Sequence, residues 1–404
     1  MRVVQINSTC GTGSTGRICL SVSLASEQTD IDNHIAYSIG HSDHPRAHSF
    51  RAGLPTRWQA LFSRVLGNYG FNSRAATRRL LRLLDSLSPD IVHLHNLHSH
   101  DCHVGKLLAY LKRRGTKVIW TFHDCWAYTG YCPHYDMVGC TAWQTECGNC
   151  PQRRAYSWFF DRSRLLQRRK RRALTGLDLT VVTPSRWLAD QVRQSFLGDR
   201  PIHVIHNGID LSVFHPTESD VRTRLGIGEG QHMLLAVAFG WDRRKGLDAL
   251  IRLAETLPDT YRLVLVGTDD RVDRLLPPSV ISVHRTHDAA ELAAYYSSAD
   301  LLVNPTREEN YPTVNMEALA CGTPVLTFRT GGSPEILDET CGSVVACDDM
   351  DALVDEIIRI CSDRPYSREA CLERARAFDQ NERFKEYVQL YERIIAARAE
   401  RDRA

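Results

Sequence analysis

Residues 307–325 read REENYPTVNMEALACGTPV, and they form the most informative stretch of this 404-residue chain. A short apolar run, Leu301–Val303, precedes the stretch, and a second run, Pro324–Phe328, overlaps its end. Short apolar runs are typical of strands buried in a parallel sheet, and the residues between these two suit a helix. The stretch therefore predicts the order strand, loop, helix, strand.

The same alternation extends outward from this stretch over the whole chain. It predicts the α/β class, with two doubly wound, Rossmann-like domains that face each other across a cleft. An Asn-Gly turn at Asn207 and Gly208 marks the boundary between them. We therefore expect one domain over residues 1–205, a second over 206–385, and a closing helix over 386–404 that crosses back to the first domain. The other runs that predict strands are Val3–Ile6, Ile91–Leu94, Val118–Phe122, Thr180–Val182, Met233–Ala238 and Arg262–Val266.

The bulk composition is that of an ordinary folded protein. Hydrophobic residues make up 43% of the chain and charged residues 24%, which argues against a disordered or fibrous protein. No uninterrupted apolar run approaches the roughly 18 residues of a membrane span. Met1 leads directly into a strand-like run without the layout of a signal peptide, so we expect a cytoplasmic protein.

Two carboxylates that stand eight positions apart dominate the chemistry of the 307–325 stretch. If Glu309 ends the loop and Glu317 lies in the following helix, both side chains can face one ligand. Carboxylates suit hydroxyl-rich ligands because each accepts two or more hydrogen bonds, and the backbone amides of 310–314 can meet a phosphate. An ordinary helix N-terminus with acids near its positive end accounts for Glu308 or Glu309, but not for the whole segment.

The stretch resembles the Glu-x7-Glu signature of the retaining family 4 glycosyltransferases, together with the helix and strand that follow it in that family. The resemblance implies the GT-B fold, with Glu309 on the hydroxyls of a donor sugar and Glu317 on the ribose of its nucleotide. Family members often carry Gly-Phe-Gly after the first glutamate. This chain has Asn-Tyr-Pro, a variant of capsule and exopolysaccharide enzymes. The resemblance therefore leaves open which residues of this loop contact the sugar. The donor-binding residues implied here are Glu309, Asn310, Tyr311, Pro312, Thr313, Val314 and Glu317.

A basic segment after the Met233–Ala238 run resembles the diphosphate clamp of the same family. Lys245 matches the lysine that neutralises the leaving nucleoside diphosphate, which stabilises charge that develops in the transition state. Gly240 stands where the family has an arginine. Arg243 or Arg244 takes that arginine's place in donor binding or is a solvated surface residue, and both interpretations stay open.

Two features of the first half suit ligand binding. Gly11, Gly13 and Gly16 form a glycine-rich turn that opens a helix, and we include them among the donor-binding residues because their N–H groups can approach an anion closely. A steric need for glycine in a tight turn is the alternative. His123 follows the Val118–Phe122 run. The resemblance places His123 beside the reacting sugar and implies same-face attack, in which the leaving phosphate takes the acceptor's proton and no metal is required.

Four cysteines lie within nineteen residues of one another, in an insertion over 125–151. Four thiolates bind zinc tetrahedrally, and Cys-x-x-Cys supplies half of such a site. The spacing is not that of a common zinc finger, so structural zinc is our first hypothesis, with free thiols or an iron–sulfur cluster as alternatives. The insertion resembles one in colanic-acid-type transferases of the same family. The expected metal ligands are Cys132, Cys140, Cys147 and Cys150.

Two segments of the first half are strongly basic and also contain aromatic residues. Residues 51–82 hold seven arginines and no acid, and residues 153–172 hold nine basic residues and one acid. Such segments suit an anionic membrane surface, where each basic side chain contributes on the order of 1 kcal/mol. A surface helix whose aromatic side chains pack inward is the alternative.

Together these features predict a hexosyltransferase with His123, Glu309 and Lys245 as catalytic residues. Its expected partners are a GDP- or UDP-linked sugar and a lipid-linked saccharide in exopolysaccharide, capsule or O-antigen biosynthesis, at the inner face of the cytoplasmic membrane. A nucleotide-sugar epimerase of the same fold is one alternative, although it needs no acceptor surface. A basic nucleic-acid-binding protein is another, but no recognised motif supports it, so we expect no nucleic-acid partner.

Overall fold

The protein is described by a computed structural model that covers residues 1–98 and 100–401, with the backbone alone for residues 398–401. The chain divides into two compact units. The first joins Met1–His206 to the tail that begins at Asn381, and the second is Asn207–Gln380. Residues 402–404 of the expected closing helix lie outside the described part of the chain.

A parallel sheet forms the centre of the first unit. Its strands are β1 (Arg2–Ile6), β2 (Asp32–Tyr37), β3 (Ala47–Ser49), β4 (Ile91–Leu94), β5 (Lys117–Thr121), β6 (Leu179–Thr183) and β7 (Ile202–Val204). Across the sheet they lie in the order β3-β2-β1-β4-β5-β6-β7. Parallel neighbours require crossover connections, which place the helices on the two faces of the sheet.

Helices make the crossovers of the first unit. They are α1 (Gly13–Ser26), α2 (Thr56–Leu66), α3 (Arg74–Leu87), α4 (Val104–Arg114), α5 (Arg153–Tyr156), α6 (Ser163–Leu174) and α7 (Arg186–Gln194). Local chemistry sets their ends: the Ser185 hydroxyl accepts from the Leu188 N–H at the start of α7, and Gly115 ends α4 in the left-handed conformation.

The second unit repeats this architecture around another parallel sheet. Its strands are β8 (His232–Val237), β9 (Tyr261–Val266), β10 (Ile281–Val283), β11 (Leu301–Asn304), β12 (Val325–Phe328) and β13 (Gly342–Val345), in the spatial order β10-β9-β8-β11-β12-β13. Two doubly wound, Rossmann-like units confirm the predicted α/β fold class.

Helices again connect the strands of the second unit. They are α8 (Val221–Arg224), α9 (Leu247–Thr256), α10 (Asp270–Asp273), α11 (Ala289–Ser298), α12 (Thr313–Ala320), α13 (Met350–Asp363) and α14 (Arg368–Ala375). The short helix α15 (Gln380–Arg383) begins at the last residue of the second unit and continues into the tail of the first. The second unit ends at Gln380, before the sequence-based limit of 385. No helix in the described ranges 1–98 and 100–401 is long and apolar enough to cross a bilayer.

The closing helix α16 (Lys385–Arg401) belongs to the first unit and packs on α1. Its buried side chains Tyr387, Val388, Leu390 and Tyr391 lie in one cluster with residues of β1, β4 and β5. An apolar stripe of this width needs a partner surface, and the sheet of the first unit supplies it.

The cysteine-rich insertion between β5 and α6 is part of the core of the first unit. It has two short 3₁₀ helices, Asp136–Val138 and Ala142–Gln144, and little other regular structure. Trp126, Tyr131 and Trp143 are buried within it, so aromatic packing holds the loop against the sheet.

Candidate functional site

The 307–325 segment has the predicted order of a strand, a loop, a helix and a strand. β11 leads through the loop to α12, and Glu317 lies in the second turn of that helix. The Glu317 side chain is buried, and its Oε2 accepts a 2.9 Å hydrogen bond from the hydroxyl of Tyr296 on α11. Because Tyr296 is fully buried, it fixes the position of the carboxylate. The sequence did not identify Tyr296.

Glu309 lies in the loop before α12 and forms an ion pair with Lys245. The distance from Lys245 Nζ to Glu309 Oε2 is 2.5 Å, and each side chain is less than a quarter exposed. The sequence assigned these two residues to the sugar and to the diphosphate of one donor molecule, and the structure places them in direct contact.

Arg307 joins the loop before α12 to the basic segment that holds Lys245. Its guanidinium donates to both carboxylate oxygens of Asp248 (2.6 and 3.0 Å), to Asp348 Oδ1 (2.6 Å) and to the Arg243 carbonyl (2.5 Å). Its backbone N–H donates to the Arg244 carbonyl. The guanidinium is largely buried, so these bonds fix the relative positions of Lys245 and the Glu309 loop.

Two glycines allow backbone segments to approach this loop closely. Gly246 has φ of +78°, and a Cβ there would lie 2.2 Å from the Pro305 carbonyl oxygen. Gly331 has φ of +53°, and its Cβ would lie 1.7 Å from the Glu309 carbonyl oxygen. Any other residue at either position would displace the loop that presents Glu309.

Three buried polar side-chain atoms near the loop have no hydrogen-bond partner within the described part of the chain. They are Asn315 Nδ2, Thr330 Oγ1 and Ser333 Oγ. Asn315 is on α12, and the other two belong to the turn whose Gly332 N–H donates to the Asn310 carbonyl. Buried polar atoms of this kind are usually met by ordered water or by a ligand.

The other residues that were predicted to bind the sugar donor differ in how far their side chains are exposed. Asn310, Tyr311 and Pro312 are buried in the second unit, while Thr313 and Val314 are half-buried in the first turn of α12. Arg243 is mostly exposed, 3.8 Å from Asp248, and Arg244 lies 4.0 Å from Asp242. Of the three neighbouring cations, Lys245 is the one paired with Glu309.

The glycine-rich turn of the first unit lies between β1 and α1. Gly11 and Gly13 have φ of +71° and +67°, and a Cβ on Gly16 would lie 2.5 Å from Thr9 Oγ1. The Gly11 N–H donates to the Gly16 carbonyl over 2.9 Å. The turn therefore requires these glycines for local steric and hydrogen-bonding reasons, whether or not they also contact a ligand.

His123 lines a cavity in the first unit, at the carboxyl end of β5. Residues 95–98, 120–124, 126 and 127 surround this cavity. His123 Nε2 lies 3.1 Å from His95 Nδ1, and the two rings stack. Burial lowers the pKa of His123 to about 4, with a further lowering by His98 and an opposing effect of Asp124. His123 is therefore neutral at physiological pH.

A second group of polar side chains lines the same cavity. Asp124 Oδ2 accepts from His98 Nε2 over 2.7 Å, and His98 Nδ1 lies 2.9 Å from the Tyr69 hydroxyl. Burial alone would raise the pKa of Asp124, but His98 and the Trp126 N–H bring it down to about 2. The carboxylate is therefore charged, and it orients the polar wall of the cavity.

The four expected metal ligands, Cys132, Cys140, Cys147 and Cys150, are free thiols, and they lie near one another in the first unit. Burial, with the negative charge of neighbouring thiolates, raises the pKa of Cys132 to about 12 and that of Cys147 and Cys150 to about 11. Over residues 1–98 and 100–401, three potential metal-ligand atoms come within 4.8 Å of one another at Asp270, Asp273 and His284, not at the cysteines. Zinc at the cysteines stays a prediction and would require the thiols to move closer together.

The two basic segments of the sequence meet on the surface of the first unit. The Trp158 N–H donates to the Arg64 carbonyl at the end of α2, and the Arg162 side chain donates to Asn68. Several large apolar side chains nearby are exposed: Trp58, Phe62, Leu66, Trp158, Phe159 and Phe160. We call this group the aromatic–basic surface. These side chains are 42–63% exposed, so their own unit covers each of them only in part.

Two family models match the chain, one in each half. The model described as Glycosyltransferase Family 4 matches residues 35–213, and the model described as Glycosyl transferases group 1 matches residues 231–363. Together the matched residues cover about three quarters of the chain.

Curated proteins and solved structures agree with these matches. The putative colanic acid biosynthesis glycosyl transferase WcaC of Escherichia coli K12 is 26% identical, over 98% of this chain and 100% of its own length. Sucrose-phosphate synthase from Thermosynechococcus elongatus has a TM-score of 0.74 at 22% identity, over 98% of this chain and 99% of its own. HepE of Anabaena in complex with UDP-glucose has a TM-score of 0.67 at 15% identity, over 96% and 99%. The structural similarities concern the fold.

Proposed function

Because this chain belongs to the glycosyltransferases of GT-B fold, with a family 4 amino-terminal half and a group 1 carboxy-terminal half, we propose that it transfers a hexose from a nucleotide-diphosphate sugar with retention of configuration. The observation that carries the proposal is the constellation in the second unit. There Lys245 pairs with Glu309, Tyr296 positions Glu317, and Arg307 holds the two loops together.

Lys245 and Glu309 act on adjoining parts of the donor in this proposal. The Lys245 ammonium neutralises the diphosphate and stabilises the charge that grows there as the glycosidic bond breaks. Glu309, released from the lysine, accepts hydrogen bonds from sugar hydroxyls. Glu317 accepts hydrogen bonds from the ribose hydroxyls, and its buried bond from Tyr296 fixes the oxygens for that contact.

The chemical step needs no enzyme nucleophile. An acceptor hydroxyl attacks the anomeric carbon on the face that the diphosphate leaves, and the bond from that carbon to the phosphate oxygen breaks. The departing phosphate oxygen takes the hydroxyl proton, so the products are the glycoside and the nucleoside diphosphate. His123 contributes a hydrogen bond to the sugar, not a base, and its neutral state at physiological pH is consistent with that role.

We further propose that the acceptor is a lipid-linked saccharide in exopolysaccharide or capsule biosynthesis, used at the cytoplasmic face of the membrane. The similarity to WcaC over 98% of the chain supports the pathway class. The aromatic–basic surface supports the lipid partner, because exposed aromatic residues beside arginines bind anionic headgroups. The nucleoside diphosphate of the donor is UDP or GDP.

The donor assignment is tested by ligand-dependent thermal stability. UDP, GDP, ADP, TDP and NAD are added separately to the wild type and to Glu317→Ala. A ligand that binds only the folded protein at 100 times its Kd stabilises it by about 2.7 kcal/mol. We expect one nucleoside diphosphate to raise the Tm of the wild type but not of Glu317→Ala. Stabilisation by NAD alone would contradict the proposal.

Sugar transfer is tested with the donor that this screen identifies. Membrane lipid extract serves as acceptor, and NMR of the anomeric proton of the product reports retention or inversion. Conversion of the donor to its epimer without an acceptor would instead favour the epimerase alternative. For the membrane contact, sedimentation with vesicles of anionic lipid is compared between the wild type and Trp158→Ser/Phe159→Ser, and equal sedimentation would contradict it.

A further inference from the structure

A row of buried polar side chains in the first unit leads from β1 to His123. His123 Nε2 lies 3.1 Å from His95 Nδ1, and His95 Nε2 lies 3.0 Å from Gln5 Oε1. Gln5 is in β1, His95 directly follows β4, and both are almost completely buried. Gln5 and His95 therefore connect His123 to the partners of the Gln5 amide. Those partners determine which atom donates and which accepts in each hydrogen bond of the row.

The far end of the row fixes the orientation of the Gln5 amide. Gln5 Nε2 donates to the Cys19 carbonyl over 2.9 Å and to Asn33 Oδ1 over 3.1 Å. A backbone carbonyl can only accept, so the amide nitrogen must face Cys19 and the amide oxygen must face His95. An oxygen in that place can only accept, and His95 therefore carries a proton on Nε2.

The same logic extends from His95 to His123. Burial holds the pKa of His95 well below its usual range, with smaller contributions from His93 and His123, so its ring is neutral. A neutral imidazole has one donor and one acceptor nitrogen. With the His95 proton on Nε2, its Nδ1 accepts, and His123 must donate from Nε2. Since His123 is also neutral, its Nδ1 is an acceptor.

We propose that Gln5 and His95 are positioning residues that hold His123 in its Nε2–H tautomer, so that His123 Nδ1 accepts a hydrogen bond from a hydroxyl of the sugar substrate. The tautomer follows from the contacts of the first unit together with the neutral state of both rings. The sugar contact rests on the proposed function. Neither Gln5 nor His95 touches the reacting atoms, and each acts through the histidine.

His93 provides a matched control. Like His95 it is a fully buried histidine at the end of β4, and the centres of the two rings are 4.0 Å apart. Its nitrogens bond elsewhere, to Thr121 Oγ1 over 2.8 Å and to the Tyr391 hydroxyl over 2.6 Å. Loss of His93 removes a buried histidine of the same kind without removing the acceptor of the His123 proton.

The experiment is nitrogen NMR of the imidazole rings in the full-length ¹⁵N-labelled protein without ligands. Long-range proton–nitrogen correlations show which ring nitrogen carries the proton, and the His123 signals are assigned by their loss in His123→Asn. We expect the wild type and His93→Phe to show the Nε2–H tautomer of His123. Gln5→Met and His95→Phe should show a mixture of tautomers or the opposite one. A His123 proton on Nδ1 in the wild type, or an unchanged tautomer in His95→Phe, would overturn the proposal.

Gln5→Glu serves as the conservative replacement if Gln5→Met does not fold. A carboxyl group at this position still accepts from His95 Nε2, so the tautomer of His123 should be retained. Its loss in Gln5→Glu, with the His95 ring still neutral, would count against the proposed direction of the bonds.

Transfer kinetics then separate this inference from the proposed function. We expect His95→Phe to lower kcat/KM for sugar transfer by about 3- to 10-fold, the effect of one misdirected hydrogen bond, with unchanged Kd for the nucleoside diphosphate alone. An altered tautomer with unchanged kcat/KM would refute the acceptor role of Nδ1. Absence of sugar transfer in the wild type would refute the proposed function and leave the tautomer result standing.

Discussion

Replacement of Lys245 by methionine tests the centre of the donor site. The substitution keeps most of the side-chain length but removes the ammonium that lies 2.5 Å from Glu309 Oε2. Glu309 then loses its cation, and the diphosphate loses the charge that stabilises it as a leaving group. Loss of one preorganised group of this kind costs about 10²- to 10³-fold in kcat. Because the Lys245 side chain is 23% exposed, solvent screens part of the effect, and we expect about 10²-fold, which corresponds to about 2.7 kcal/mol.

The assay is the initial rate of nucleoside diphosphate release at saturating donor and acceptor. Arg376→Met is the control, since it removes a cation of the same unit whose side chain is 76% exposed and lies 2.8 Å from Glu373. We expect kcat of this control to stay within about threefold of the wild type, because exposed pairs contribute little. The assignment of Lys245 fails if its variant also stays within that range.

Three further predictions follow from contacts outside the reacting groups. Arg307→Met should lower the free energy of unfolding, measured by urea titration, by about 1 to 2 kcal/mol. The effect is limited because both acidic partners, Asp248 and Asp348, are about half exposed. An unchanged free energy of unfolding would show that the two loops do not depend on Arg307. Burial of His93 lowers its pKa to about 3 from 6.5, with a smaller contribution from His123. Between these values the unfolded chain binds a proton that the folded one does not, so stability should fall as the pH drops below about 6.5, by up to about 2 kcal/mol at pH 5 for this residue. The free energy of unfolding should decrease less steeply with falling pH in His93→Phe than in the wild type. Equal slopes would show that His93 does not cause the decrease. For the cysteine insertion, elemental analysis should find one zinc ion per chain in the wild type and none in Cys147→Ser, and a metal-free wild type would eliminate the hypothesis.

The arrangement of strands and helices was predictable from the sequence because buried parallel strands are short, apolar and interrupted by turns. Leu301–Val303 and Ile91–Leu94 are strands, as predicted. β2 escaped prediction because Asn33 and His34 interrupt its apolar residues. Asn33 is nevertheless fully buried, since its amide bonds to Gln5 and Ser26, and such compensation is not visible in a pattern of apolar residues.

The candidate site residues were chosen from the sequence because they stand in strong local motifs. Glu309, Glu317 and Lys245 stand in segments whose spacing is tied to one ligand, and the family models match both halves of the chain. Their roles remain predictions, and the experiments above address them. The residues that hold them were missed. Tyr296 lies 21 positions before Glu317 and Arg307 lies 59 after Asp248, so no local pattern connects either pair.

The sequence by itself therefore determined the class of fold and the family, and it supplied the candidate residues for a nucleotide sugar, because these depend on local periodicity and on motifs within one loop and helix. The tertiary structure decided which side chains support them. The contact between Gln5 and His95 spans 90 positions and that between His93 and Tyr391 spans 298. A group of histidines at the end of a strand is compatible with many functions and does not identify one. Only the partner of each ring nitrogen, brought there by the packing of β1, β4 and α16, determines where its proton lies.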